Sequence, residues 1–113
     1  MFNILAEIFE EIGIPYFRQG SLTDTDTIPD EFFTFWNIRT ESQLFYDNEN
    51  LSTDWDWAIY FYTKNPSNLY TTMENFINKA KEKNFFIDGM GNDIPSDIEN
   101  LFGRYILIKY NGV

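Results

Sequence analysis

The first dozen positions place their apolar residues at helical spacing. Ile4, Leu5, Ile8, Phe9 and Ile12 share one face, while Glu7, Glu10 and Glu11 lie on the other. Gly13 followed by Pro15 supplies the stop signal. Ile14 to Phe17 suits a short strand, and Gln19 to Asp30 is a polar loop holding Asp24, Asp26 and Pro29. From Glu31 to Arg39 the run is aromatic and β-branched on both faces, which predicts a central strand. Ser42 to Tyr46 predicts a second strand, its hairpin partner, ended by the turn residues Asp47-Asn48-Glu49-Asn50.

The clearest alternation runs from Asp54 to Thr63. Trp55, Trp57, Ile59 and Phe61 fall on one face, and Asp56, Ala58, Tyr60 and Tyr62 on the other. Asn65-Pro66 then sets a cap before a first-turn proline, and Tyr70, Met73, Phe76, Ile77 and Ala80 form the apolar stripe of a second helix. Lys79, Lys81 and Lys83 gather near its carbonyl end, where cations are favoured, and Asn84 is placed to cap it. Phe85 to Asp88 predicts a short strand, Gly89 to Asp93 a tight turn, and Arg104 to Tyr110 a last strand; Ser96 to Leu101 carries no clear pattern. The order α-β-β-β-α-β-β predicts an α+β fold in which two helices pack on one face of a mostly antiparallel sheet. The 113 residues suit a single domain.

Composition narrows the chemistry. The chain has no cysteine and no histidine, so disulfides, thiolate metal sites, a cysteine nucleophile and an imidazole base are all ruled out. Eighteen acidic residues against eight basic ones give a formal charge of −10, which opposes attraction to nucleic acid or to an anionic membrane. No run reaches the length of a membrane span. The N-terminal segment, with three glutamates and no basic residue, does not resemble a secretory signal. Phe, Tyr and Trp supply 22 residues, more than a core of this size comfortably hides, so some are expected on a face meant for another chain.

The candidate chemical motifs fail on inspection. A calcium loop opening at Asp24 needs glycine at its sixth position and glutamate at its twelfth, where the chain has Pro29 and Phe35. Gly89-x-Gly91 lacks the third glycine of a dinucleotide fingerprint, since Ile94 stands there. Neither a phosphate-binding Gly-Lys-Ser/Thr loop nor a serine-nucleophile elbow is present. Among so many acids, a close carboxylate pair has no diagnostic value. The inventory points away from an enzyme and implies no cofactor and no metal.

Interaction chemistry is better represented. In Trp55-Asp56-Trp57 the alternation sends the tryptophans inward, which leaves Tyr60 and Tyr62 as the better interface candidates. Between Gln19 and Trp57 stand nine acids (Asp24, Asp26, Asp30, Glu31, Glu41, Asp47, Glu49, Asp54 and Asp56) and one base, Arg39. Such a stretch serves solubility, or forms a surface that repels or imitates nucleic acid.

The chain also resembles a known family over nearly its whole length from Ile14. The resemblance lies in Phe33-Thr34-Phe35-Trp36, Tyr46-Asp47-Asn48, Trp55-Asp56-Trp57 and Tyr62-Thr63-Lys64-Asn65-Pro66. It continues in Asn84-Phe85, Gly89-x-Gly91-x-Asp93, Ser96-Asp97 and Gly103-Arg104. In order and spacing these resemble the small tail-terminator and tail-completion proteins of long-tailed (siphovirus-type) bacteriophages and prophages of low-GC Gram-positive bacteria. Relatives carry Asp where this chain has Asn65 and Gly where it has Asn84; both replacements still cap or turn.

The resemblance implies a structural protein of the virion tail, assembled in the host cytoplasm. Members form a homo-oligomeric ring, typically a hexamer, which caps the head-proximal end of the tail tube and offers a head–tail joining surface. The implied partners are the major tail protein and the head-completion protein, with DNA passing through unbound and no membrane involved. Asp24, Asp26, Asp47, Glu49, Asp54, Tyr60 and Tyr62 are the residues expected at the oligomer interface or lumen. The alternative is a monomeric, acidic DNA mimic of the anti-restriction type that inhibits a DNA-binding protein.

Overall fold

Asn65 begins the better-defined of the two helices. Its side-chain Oδ1 accepts the Ser67 backbone N–H at 3.1 Å, and Pro66 takes the first helical position, where no N–H is needed. The structure is a computed structural model that describes residues 2–19, 29–44, 51–95 and 100–112. Its elements are α1 (Phe2–Ile12), β1 (Tyr16–Arg18), β2 (Glu31–Leu44), β3 (Leu51–Thr63), α2 (Pro66–Glu82), β4 (Phe86–Ile87), β5 (Asn92–Ile94) and β6 (Phe102–Gly112). The fold is α+β in the expected order, with the short β5 added.

Both helices end on left-handed residues. Gly13, at φ +79°, donates to the Phe9 carbonyl at 3.0 Å and closes α1. At the end of α2, Asn84 adopts φ +71° and donates to Lys81 O, and Phe85 donates to Ala80 O. That pair of bonds is a Schellman closure, with asparagine in the position usually given to glycine. Phe85 then turns into the core, where it is 4 % exposed.

The sheet order is β1-β2-β3-β6-β4, with β5 also paired to β6. β1 runs parallel to β2, and every other pairing is antiparallel. Both helices cover the same face. Phe33, Phe35, Trp57, Ile59, Phe61, Ile106 and Ile108 meet Leu5, Ile8 and Phe9 of α1 and Leu69, Met73, Phe76, Ile77 and Ala80 of α2. Phe9 sits at the centre, its ring 4.9 Å from Tyr16, 5.1 Å from Phe33 and 5.6 Å from Phe76. On β3, Trp57, Ile59 and Phe61 are buried there, and Trp55 stacks on Trp57 at 6.2 Å.

Two local expectations are corrected. Ser42 does not open a separate strand, because β2 runs unbroken from Glu31 to Leu44 and its hairpin partner is β3. The polar run Arg39-Thr40-Glu41-Ser42 stays in the ladder because backbone pairing with Asp56, Trp55, Asp54 and Thr53 does not require buried side chains. Between Asn37 and Arg39 the register slips by one, leaving Ile38 without an opposite residue. The expected turn at Gly89–Asp93 is shorter, since Asn92 and Asp93 already belong to β5. Gly89 and Gly91 do adopt positive φ, and a Cβ on Gly91 would stand 2.5 Å from the Tyr105 carbonyl.

Candidate interaction surface

Successive side chains of a strand point to opposite faces, so burying Phe33, Phe35, Ile59 and Phe61 under the helices sends their neighbours to the other side. On this second face the register aligns rows across β2, β3 and β6. Phe32 lies beside Tyr62 and Gly103, Thr34 beside Tyr60 and Tyr105, and Trp36 beside Ala58 and Leu107. The next row is charged, with Arg39, Asp56 and Lys109 in line and Phe86 of β4 at its end. No helix among the described residues covers this face.

The rows differ in how far they are buried. In the first two, rings pack on rings: Phe32 on Tyr62 at 5.2 Å, Tyr60 on Tyr62 at 6.5 Å, and Tyr60 on Tyr105 at 5.9 Å. Tyr62 lies close over β6 because residue 103 is glycine; a Cβ there would come within 3.0 Å of the Tyr62 ring and 2.8 Å of Ile94. The third row stands open. Trp36 is 42 % and Leu107 51 % exposed on either side of the small, buried Ala58. Toward the β4 edge, Phe86 is 69 % and Met90 50 % exposed, and with Leu107 and Tyr105 they line a groove of about 620 Å³.

Two carboxylates on this face have polar partners. Arg39 Nε lies 3.5 Å from Asp56 Oδ2, and the Asn111 amide donates to the Asp54 carboxylate. A further cluster on the helix side fixes one wall of the groove. Arg104 donates to the carbonyls of Met90 and Gly91, ion-pairs with Asp93, and stacks over the Tyr70 ring at 4.8 Å. The hydrogen bonds from Tyr70 and then from Arg104 hold the Asp93 carboxyl below its usual range, and the same bond to Asp93 raises the Tyr70 hydroxyl. On the far side of the molecule Lys83 is raised by its hydrogen bond to Glu7 and by the charge of Glu11, tying α2 to α1.

Of the residues expected at an interface, Tyr60 and Tyr62 lie together on the uncovered face and Asp54 lies farther along it, all half-buried. Asp24, Asp26, Asp47 and Glu49 lie outside the described residues. Trp36, Leu107, Phe86 and Met90 were not anticipated. Trp36 sits in a run with apolar residues on both faces, which predicted burial on both; the second face is open at its level. Among the described residues no three acidic side chains converge as a metal site, and no helix is long and apolar enough to cross a membrane.

Neither a protein-family model nor a curated protein matches this chain. The functional reading therefore rests on the residues and their arrangement.

Proposed function

We propose that this chain is an assembly subunit of a long phage tail: copies of it close into a ring on the head-proximal end of the tail tube, stop its growth and present the surface to which the head joins. One observation carries the reading. The sheet is packed by helices on a single face, and its other face offers Trp36, Leu107, Phe86 and Met90 to solvent. A folded face of this kind is suited to being covered by protein. The motif order that resembles tail-completion proteins supplies the setting, and the −10 charge suits a channel that DNA crosses without sticking.

The reading is tested on the chain itself and on particles. Light scattering with negative-stain imaging should show discrete rings at raised concentration, and sedimented virions should contain the chain. Removing it from a producing phage should yield heads and tails that fail to join. A chain that stays monomeric, is absent from virions and binds a basic DNA-binding protein with steep salt dependence would instead be a DNA mimic.

A further inference from the structure

Two of the six glycines follow an Asp or an Asn: Gly89 after Asp88, and Gly112 after Asn111. In such a pair the glycine nitrogen can close on the preceding side-chain carbonyl carbon, because glycine puts no side chain in the way. Closure needs a side chain and an N–H that are not otherwise engaged, and room for a ring. The fold treats the two pairs differently.

Asp88–Gly89 meets every requirement. Both residues are exposed, and among the described residues the Asp88 carboxylate has no hydrogen bond or ion pair. The Gly89 N–H makes no backbone hydrogen bond there either. Gly89 stands at φ +84°, and a Cβ built on it meets nothing within 4 Å. Arg104 anchors the turn only from Met90 onward.

Asn111–Gly112 meets none of them. The Asn111 amide is engaged by Asp54, and a Cβ on Gly112 would stand 2.8 Å from the Tyr110 ring. Backbone groups along β6 point alternately to its two neighbours. The Tyr105 carbonyl faces β5 beside Gly91, so residue 112, an odd number of positions on, directs its N–H to Thr53 of β3.

We propose that Asp88–Gly89 is a site of spontaneous backbone isomerisation in the folded protein, and that the ladder protects Asn111–Gly112 from the same chemistry. The Gly89 nitrogen attacks the Asp88 carboxyl carbon; the nitrogen gives up its proton and the carboxyl its hydroxyl, so one water leaves and a cyclic imide forms. Water then opens the ring at either carbonyl. One opening restores aspartate, and the other routes the main chain through the former side chain as isoaspartate. That product lengthens the backbone by one carbon. With Arg104 holding Met90 and Gly91, the added length is taken up between Ile87 and Met90, along the groove that Phe86 and Met90 line.

Asp88→Asn places the same Asn-Gly pair at both positions of one folded chain. Kept at neutral pH and read by peptide mass, position 88 should exchange its amide for an acid at least about tenfold faster than Asn111, the protection given by a strand that must open locally. In urea the two rates should converge. In the parent chain, incubation in heavy-oxygen water should label the Asp88 peptide and split it into aspartyl and isoaspartyl forms. Asp88→Glu, whose longer side chain must close a larger ring, should lose that signal and keep the parental unfolding midpoint. Equal rates at 88 and 111 in the folded chain would overturn the proposal. So would a parent chain that forms isoaspartate at 88 in urea and none when folded.

Discussion

The Tyr70 hydroxyl donates a 2.8 Å hydrogen bond to Asp93, joining the first turns of α2 to β5 across 23 residues of chain. Arg104 holds the other carboxylate oxygen, and its guanidinium also binds the carbonyls of Met90 and Gly91. The trio pins the glycine turn against the sheet. Because that turn carries Met90, the shape of the groove depends on a polar cluster on the opposite side of the sheet.

This cluster should be visible in the pH dependence of stability. Asp93 is lowered in the folded state, so its contribution is complete above the ordinary carboxylate value of about 3.9 and is lost as pH falls through the lower folded value. Tyr70 is raised, so its contribution is complete below about 10 and is lost as pH rises through the higher folded value. Melting curves of the parent and Asp93→Asn should therefore separate at pH 6 and draw together in strong acid. A constant separation down to pH 2 would contradict the assignment.

Phe9→Ala should cost about 3–5 kcal/mol, the usual result of emptying a fully buried aromatic site. Its ring touches Tyr16, Phe33 and Phe76, which belong to three elements, so little collapse can fill the void. Urea unfolding checks it. Because small domains hold only about 5–15 kcal/mol in all, the unfolding midpoint should fall well below that of the parent.

Asn84 offers a change of opposite sign. At φ +71° a Cβ-bearing residue without a short amide side chain is strained, so Asn84→Ala should lose about 1 kcal/mol. Asn84→Gly should match the parent or exceed it by a few tenths of a kcal/mol, since glycine is the preferred residue at this closure. Paired denaturation curves give both values, and a stabilising alanine would refute the left-handed assignment.

The acidic residues invite a test of transport. In the proposed ring, replacing Asp24, Asp26, Asp47 and Asp54 together by Asn should slow genome ejection without preventing assembly, because DNA would meet a less repulsive channel. Dye release from purified virions measures the rate, and ejection at the parental rate would remove the channel-lining role.

Both helices were legible in the sequence because each carries at least two independent signals. For α1 these are the apolar stripe and Gly13; for α2 they are the stripe, the Asn65-Pro66 start and the Asn84 stop. On β3 strict alternation separated Trp57, Ile59 and Phe61 from Ala58, Tyr60 and Tyr62, and so placed Tyr60 and Tyr62 on the face away from the helices. The continuity of β2 was hidden by Arg39 to Ser42, whose polar side chains look like a turn while their backbone remains paired.

The open third row was hidden for a different reason. Trp36 follows Phe32, Phe33 and Phe35, and a face that awaits a partner has the same composition as one already buried. Likewise, Leu107 sits between Ile106 and Ile108, where nothing local separates the exposed residue from its buried neighbours. Only the position of the helices, both on one side, distinguishes them.

The slipped register at Ile38 gives the molecule a safeguard. Past Phe35 the outer edge of β2 is unpaired among the described residues, and a long straight edge in so aromatic a chain would be a template for endless strand stacking into fibres. The extra residue bends that edge and sharpens its twist, so a stray strand finds no even ladder to extend. The bulge thereby works against edge-to-edge growth at the strand whose neighbours carry the exposed aromatic row.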